Sequence, residues 1–76
     1  MTTKSELTDT QVKYLEFIAR YIKENGYAPT LRDFLEGFNY TSTNGVQEML
    51  DRLQQLGYIK RDPNKARTLV ITKEWK

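Results

Sequence analysis

Thr41-Ser42-Thr43-Asn44-Gly45-Val46-Gln47-Glu48-Met49-Leu50-Asp51-Arg52-Leu53-Gln54-Gln55-Leu56-Gly57 is the stretch that decides the fold. Its apolar residues, Val46, Met49, Leu50, Leu53 and Leu56, recur at i, i+3, i+4, i+7 and i+10, one stripe of an α-helix. The other face opens with small polar groups: Ser42, Asn44 and Gly45, then Gln47 and Glu48. Hydroxyls, amides and a carboxylate with little bulk suit a helix that lies inside a groove. Thr41, Ser42, Thr43 and Asn44 can each cap such a helix, and the sequence leaves the choice open. Gly45 costs about 1 kcal/mol against alanine in a helix interior, less in a first turn. Either it is a loop residue needing freedom, or its missing Cβ lets another surface approach. The small polar neighbours favour the second.

Upstream, Leu7-Thr8-Asp9-Thr10-Gln11-Val12 is a helix start. Thr8 as N-cap with Gln11 three residues on makes a capping box, and Leu7 with Val12 makes a hydrophobic staple. Asp9 sits where the helix dipole favours negative charge. Val12, Leu15, Ile18, Ala19 and Ile22 give the apolar stripe, and Gly26 is the left-handed terminator. Pro29 stiffens the connection that follows, because it keeps Ala28 out of the helical region. Thr30, with Asp33 at N3, predicts a second helix with the apolar face Leu31, Phe34, Leu35 and Phe38. Gly37 and Asn39 are expected to break it after about two turns. A short capped helix, a turn of about four residues holding Tyr40, then a capped amphipathic helix is a helix-turn-helix pattern.

Downstream, Gly57 caps the third helix. Tyr58-Ile59-Lys60-Arg61 and Ala66-Arg67-Thr68-Leu69-Val70-Ile71-Thr72 are β-branched and aromatic runs around the turn Asp62-Pro63-Asn64-Lys65, the pattern of a hairpin. Two strands are marginal alone, so the hairpin must pack on the helices. Its tip is expected to carry Arg61, Lys65 and Arg67 around a rigid proline. The fold class is thus mainly α (α+β): a three-helix winged helix-turn-helix with a C-terminal two-stranded β-hairpin wing. Residues 1–6 are expected to be a flexible N-terminal arm, 7–72 the domain and 73–76 a tail in which Trp75 either covers the core or stays exposed.

The composition narrows the chemistry. Seventy-six residues make one domain with a thin core. There is no cysteine and no histidine, so no disulfide, no thiolate metal site, no imidazole base and no imidazole ligand. The four glycines, 26, 37, 45 and 57, lie at or near helix ends and form no phosphate loop. Asp33 and Glu36 share a face by spacing, which fits capping and solvation. The expectation is a non-enzyme with no cofactor and no metal. No apolar run approaches the ~18 residues of a membrane span and no signal peptide opens the chain, so the expected location is cytoplasmic. Residues 1–56 carry a balance of −2 and residues 57–76 one of +4. A basic end favours a polyanionic partner, although charge alone fits a solubilising tail equally well.

The motifs as a set are more specific. Leu7-Thr8…Gln11, Gly26-Tyr27-Ala28-Pro29-Thr30-Leu31-Arg32-Asp33, Thr41-Ser42-Thr43, Leu50-Asp51-Arg52-Leu53 and Gly57-Tyr58-Ile59-Lys60-Arg61-Asp62-Pro63-Asn64-Lys65-Ala66-Arg67 resemble the N-terminal DNA-binding domain of the LexA family, repressors of the bacterial DNA-damage (SOS) response. The resemblance runs from Leu7 to about Ile71, and the stretches from Gly26 and from Arg61 look most like Gram-positive versions. It implies a transcription regulator, a repressor, binding double-stranded DNA at an inverted repeat through a third helix in the major groove, as a possible homodimer on DNA. The implied DNA-binding residues are Thr30, Thr41, Ser42, Thr43, Asn44, Gly45, Gln47, Glu48 and Arg52, with Lys65 and Arg67 of the wing on the backbone or minor groove. Two departures stand out. Asn39 replaces a family glycine, and the set from Ser42 to Glu48 is not the common Gram-positive one, which implies a different preferred operator. The family's second, self-cleaving and dimerising domain does not follow, so the chain is expected to be either a truncated form or a short phage or mobile-element protein. A rival reading is a protein-interaction module that modulates a host or phage regulator. Against it, the exposed face of the third helix lacks the aromatic anchor such surfaces favour.

Overall fold

A computed structural model describes residues 7–62 and 67–75. The expected N-terminal arm and the wing tip with Lys65 lie outside the described residues. Three helices, α1 (Asp9–Asn25), α2 (Leu31–Phe38) and α3 (Thr43–Gln55), precede two short strands, β1 (Ile59–Lys60) and β2 (Val70–Ile71).

Local capping sets the helix ends. Thr8 Oγ1 accepts from the Gln11 N–H at 3.1 Å and Gln11 Oε1 accepts from the Thr8 N–H at 2.9 Å, closing the box that starts α1. Gly26, at φ 82°, stops it with its N–H on the Ile22 carbonyl at 2.8 Å. Thr30 and Asp33 repeat the reciprocal arrangement at the start of α2. Asn39 ends α2 in the left-handed region (φ 62°, ψ 39°), and Tyr40 N–H returns to the Leu35 carbonyl at 2.9 Å. Asparagine tolerates this conformation better than other side-chained residues, so it can end the helix where the resemblance implies a glycine.

Gly37 does not break α2: it lies inside the helix. A Cβ there would fall against the Phe17 ring, with Phe17 Cζ only 2.8 Å away. The missing side chain is therefore used for close α1–α2 packing. Ser42 is the N-cap of α3, with its Oγ accepting from the Asn44 N–H at 3.3 Å. At the other end the cap residue is Leu56, with Gly57 just beyond it at φ 88°. Gly57 N–H reaches the Gln54 carbonyl and Tyr58 N–H the Leu53 carbonyl, both at 3.0 Å, a Schellman motif that turns the chain directly into β1.

The core is Tyr14, Leu15, Ile18, Ala28, Phe34, Val46, Leu50, Leu53, Tyr58, Ile59 and Leu69. α2 packs on α3, α3 on β1 and α1 on β2. Between α1 and α2 the filling is aromatic: Tyr14 and Phe17 lie 4.8–5.4 Å, ring to ring, from Phe34 and Phe38. The aliphatic stripe read from the sequence misses this second face of α1. Tyr40 stacks on Phe38 at 5.5 Å yet stays exposed. Burying each of these large side chains contributes about 1.5–3 kcal/mol.

The strands are antiparallel, with Ile59 opposite Ile71 and Lys60 opposite Val70. They are shorter than the runs predicted, two residues each. Side chains alternate along the second: Leu69 is buried and Ile71 half-buried, while Val70 is exposed. Side chains extend the clasp past the ladder. Thr72 Oγ1 donates to the Gly57 carbonyl at 2.9 Å, and Asp62 N–H donates to Thr68 Oγ1 at 2.9 Å. Trp75 packs partly buried against the core.

Two outcomes test this fold. Asn39→Gly is expected to leave thermal stability within a few tenths of a kcal/mol, while Asn39→Ala lowers it by about 1–2 kcal/mol; equal effects would show that the left-handed cap is not the constraint. Burial, with the nearby Tyr40 hydroxyl adding to it, pushes the Tyr14 phenol up to about 12 from 10.0. The fold therefore holds Tyr14 neutral, so its contribution is complete below pH 10 and is lost as pH rises toward 12. Melting at a series of alkaline pH values should show a smaller loss for Tyr14→Phe than for the parent; parallel curves would contradict this.

Candidate nucleic-acid interface

The buried stripe of α3 is Val46, Leu50 and Leu53. Opposite it, Asn44, Gly45, Gln47, Glu48, Asp51 and Arg52 are exposed, and Thr41 and Ser42 are exposed in the turn before. Thr43 is half-buried, and its Oγ1 accepts from Gln47 Nε2 at 3.4 Å. Ser42 uses an acceptor lone pair as the cap and keeps its hydroxyl proton to donate outward. The structure thus brings eight of the expected residues, Thr41 to Arg52, onto one outward face.

Gly45 is telling. Its φ is not in the left-handed region, and a Cβ there would meet nothing within 4 Å. Nothing inside the described fold requires a glycine at this point.

Beside this face lies an open cleft of about 410 Å³, lined by Thr10, Tyr14, Tyr40, Thr41, Ser42, Gly45 and Met49. It joins the start of α1 to the start of α3. Thr10, Tyr14, Tyr40 and Met49 were not among the expected site residues. No local signal places Thr10 next to Ser42, since their proximity exists only once the helices pack.

Two expected residues are placed elsewhere, and a third is not among the described residues. The Thr30 hydroxyl is occupied within the α2 cap, accepting from the Asp33 N–H at 3.3 Å and donating to Asp33 Oδ2 at 3.1 Å. Lys65 lies outside the described residues. Arg67 does not project from the wing: Nη1 donates to the Ala28 carbonyl at 2.9 Å, and its guanidinium sits over the Tyr27 ring, 4.4 Å from the centroid. Arg61 also turns back from the tip, pairing with Asp51 of α3 at 3.0 Å. An exposed pair of this kind contributes about 0–1 kcal/mol to stability. Its electrostatic effect here is to offset a carboxylate on the outward face of α3.

Burial would raise the Asp33 carboxyl, but the Thr30 N–H, the Tyr21 and Thr30 hydroxyls and the Arg67 guanidinium together hold it below the ordinary value. The hydrogen bond that Arg67 donates to the Tyr21 hydroxyl, set against some desolvation, and the Asp33 charge raise Arg67 in turn, so both partners stay ionised.

Three helices with a four-residue turn between the second and third, then an antiparallel hairpin packed on the third, define a winged helix-turn-helix. The profile of the LexA DNA binding domain matches residues 4–68. The chain belongs to that family. It is 48% identical over 66 residues to a LexA repressor of Anaeromyxobacter sp., covering 87% of this chain and 29% of that protein. It is 46% identical over 68 residues to the LexA repressor of Caldicellulosiruptor saccharolyticus (90% and 34%) and 40% identical over 74 residues to that of Clostridium novyi (97% and 35%). The chain therefore spans about a third of the length of these relatives.

Gly45→Ala is expected to raise unfolding stability by up to about 1 kcal/mol in denaturant titration, because a Cβ there meets no clash. A loss of stability would mean that the glycine serves the fold itself.

Proposed function

We propose that the chain is a sequence-specific, double-stranded DNA-binding transcription regulator, a repressor of the LexA type acting in the bacterial cytoplasm, and not an enzyme. α3 enters the major groove of an inverted-repeat operator, one copy on each half-site, and the wing lies against the flanking backbone. The observation that carries this reading is the outer face of α3: polar and exposed, small at its start, with a glycine that the described fold does not need.

Each residue type has a role in that groove. Asn44 or Gln47 bonds adenine at N6 and N7, and Glu48 accepts from cytosine N4. Ser42 and Thr43 donate to a base edge or a phosphate, with Thr41, Arg52 and Lys65 on the backbone, where contacts position the domain without choosing sequence. Thr30 is already engaged in its cap and lies at the far end of α2 from the turn, so its share is to hold α2. A lone module buries only about 600–1,000 Å² on DNA, so a single half-site binds weakly and two copies are needed.

Fluorescence anisotropy with a palindromic duplex library against random duplex, at moderate salt, tests this directly. Enrichment of an inverted repeat is expected; equal binding to both pools would sink the reading and leave the interaction-module alternative. Against the selected operator, Glu48→Ala should change the preferred base at one position of each half-site by about 1–3 kcal/mol. A uniform loss with unchanged preference would remove Glu48 from base readout. Gly45→Ala should weaken operator binding while it stabilises the fold.

A further inference from the structure

We propose that Arg67 positions the wing: it latches the hairpin onto the α1–α2 connection and the first turn of α2, and it serves DNA binding through that latch rather than by touching DNA. The inference rests on the DNA-binding reading above and adds to it how the wing is held.

Arg67 sits at φ 60°, a conformation that side-chained residues seldom hold. Such an outlier in a connecting segment persists where surrounding contacts enforce it. Those contacts reach far along the chain. Nη1 lies 2.9 Å from the Ala28 carbonyl, 3.4 Å from Asp33 Oδ2 and 3.5 Å from the Tyr21 hydroxyl. The guanidinium carbon lies over the Tyr27 ring, and Tyr27 in turn packs edge-on against Tyr21 at 6.0 Å. Tyr27 is one of the large side chains left exposed by the core. Its place on the surface is explained by the cation above it.

The anchor point is itself structural. Asp33 Oδ2 accepts from the Thr30 N–H at 2.8 Å and from the Thr30 hydroxyl at 3.1 Å, closing the α2 cap. Arg67 docks on that same oxygen. The hairpin is therefore tied to both helices of the motif: its base to the end of α3 through Tyr58, and the residue leading into its returning strand to the beginning of α2. Together they fix the wing relative to both helices of the helix-turn-helix. A lysine cannot reproduce this, because a point charge cannot stack on the ring and donate in plane to a carbonyl at once. A phosphate-gripping arginine would have to leave both partners.

The test compares wild type, Arg67→Lys, Arg67→Gly, Tyr27→Leu and the Arg67→Lys/Tyr27→Leu double variant on the selected operator across a salt series, below the melting temperature of each. Glycine suits the positive φ, so Arg67→Gly removes the side chain without backbone strain. Tyr27→Leu alters no charge. With the latch, it weakens binding about three- to fivefold, the equivalent of a lost exposed cation–π contact. Arg67→Lys weakens binding about tenfold, through lost charge-assisted hydrogen bonds, and the double variant is no weaker than Arg67→Lys. The slope of log K against log salt stays at the wild-type value in Tyr27→Leu and Arg67→Lys. In the free protein, the Arg67 side-chain protons are shifted upfield by the Tyr27 ring, and this shift vanishes in Tyr27→Leu.

The proposal is overturned if Tyr27→Leu binds like wild type while Arg67→Gly lowers the salt slope by about 0.9, the signature of one lost phosphate contact. Absence of the upfield shift in wild type also overturns it. Failure of the wild-type chain to bind any duplex would instead remove the DNA reading itself, and the use of the latch with it. The two failures are therefore distinct.

Discussion

The packing of one side of α3 governs this domain, because the other side is exposed and packs on nothing in the described fold. Val46, Leu50 and Leu53 are fully buried, and they meet α2 on one flank and β1 on the other. A chain of this size has little core to spare, so no second layer can support the helix. Orientation is then set at the ends. Ser42 fixes where α3 begins, and the Schellman turn at Gly57 fixes where it stops and where the wing departs. The polar face is positioned by what happens on the apolar one.

What could be read from the residues in order was whatever acts over three or four positions. The Thr8–Gln11 and Thr30–Asp33 boxes, the glycine stop at 26 and the α3 stripe depend on neighbours along the helix, and those neighbours are adjacent in the sequence. The same holds for the alternation of Leu69, Val70 and Ile71. Boundaries that hinge on competition were not legible: four residues could have capped α3, and only packing selects Ser42. Gly37 shows the same limit. As a propensity it signals a break, but the Phe17 ring lying against it makes it a packing residue within the helix.

The candidate interface divides along the same line. The residues of α3 share a face by helical periodicity, so their common exposure followed from spacing. The arginines did not. Arg61 and Arg67 look in sequence like two charges beside a turn, and nothing local says that their partners lie 10 and 34 residues away on other elements. Long flexible side chains take their direction from the charges and rings that folding brings near, which no periodicity encodes.

The +4 balance of residues 57–76 suggests a strongly cationic wing. Two of those charges are set against Asp51 and Asp33 within the domain. Counterion release depends on cations that reach phosphates, not on formal totals. On the reading proposed above, the described part of this wing supplies less sequence-independent attraction than its composition implies. The burden of affinity then shifts toward the α3 face and toward binding as a pair. On that reading the carboxylate of Glu48 adds repulsion from phosphates that a cytosine amino group at one position of the half-site can offset. Discrimination in such a domain comes partly from what it refuses.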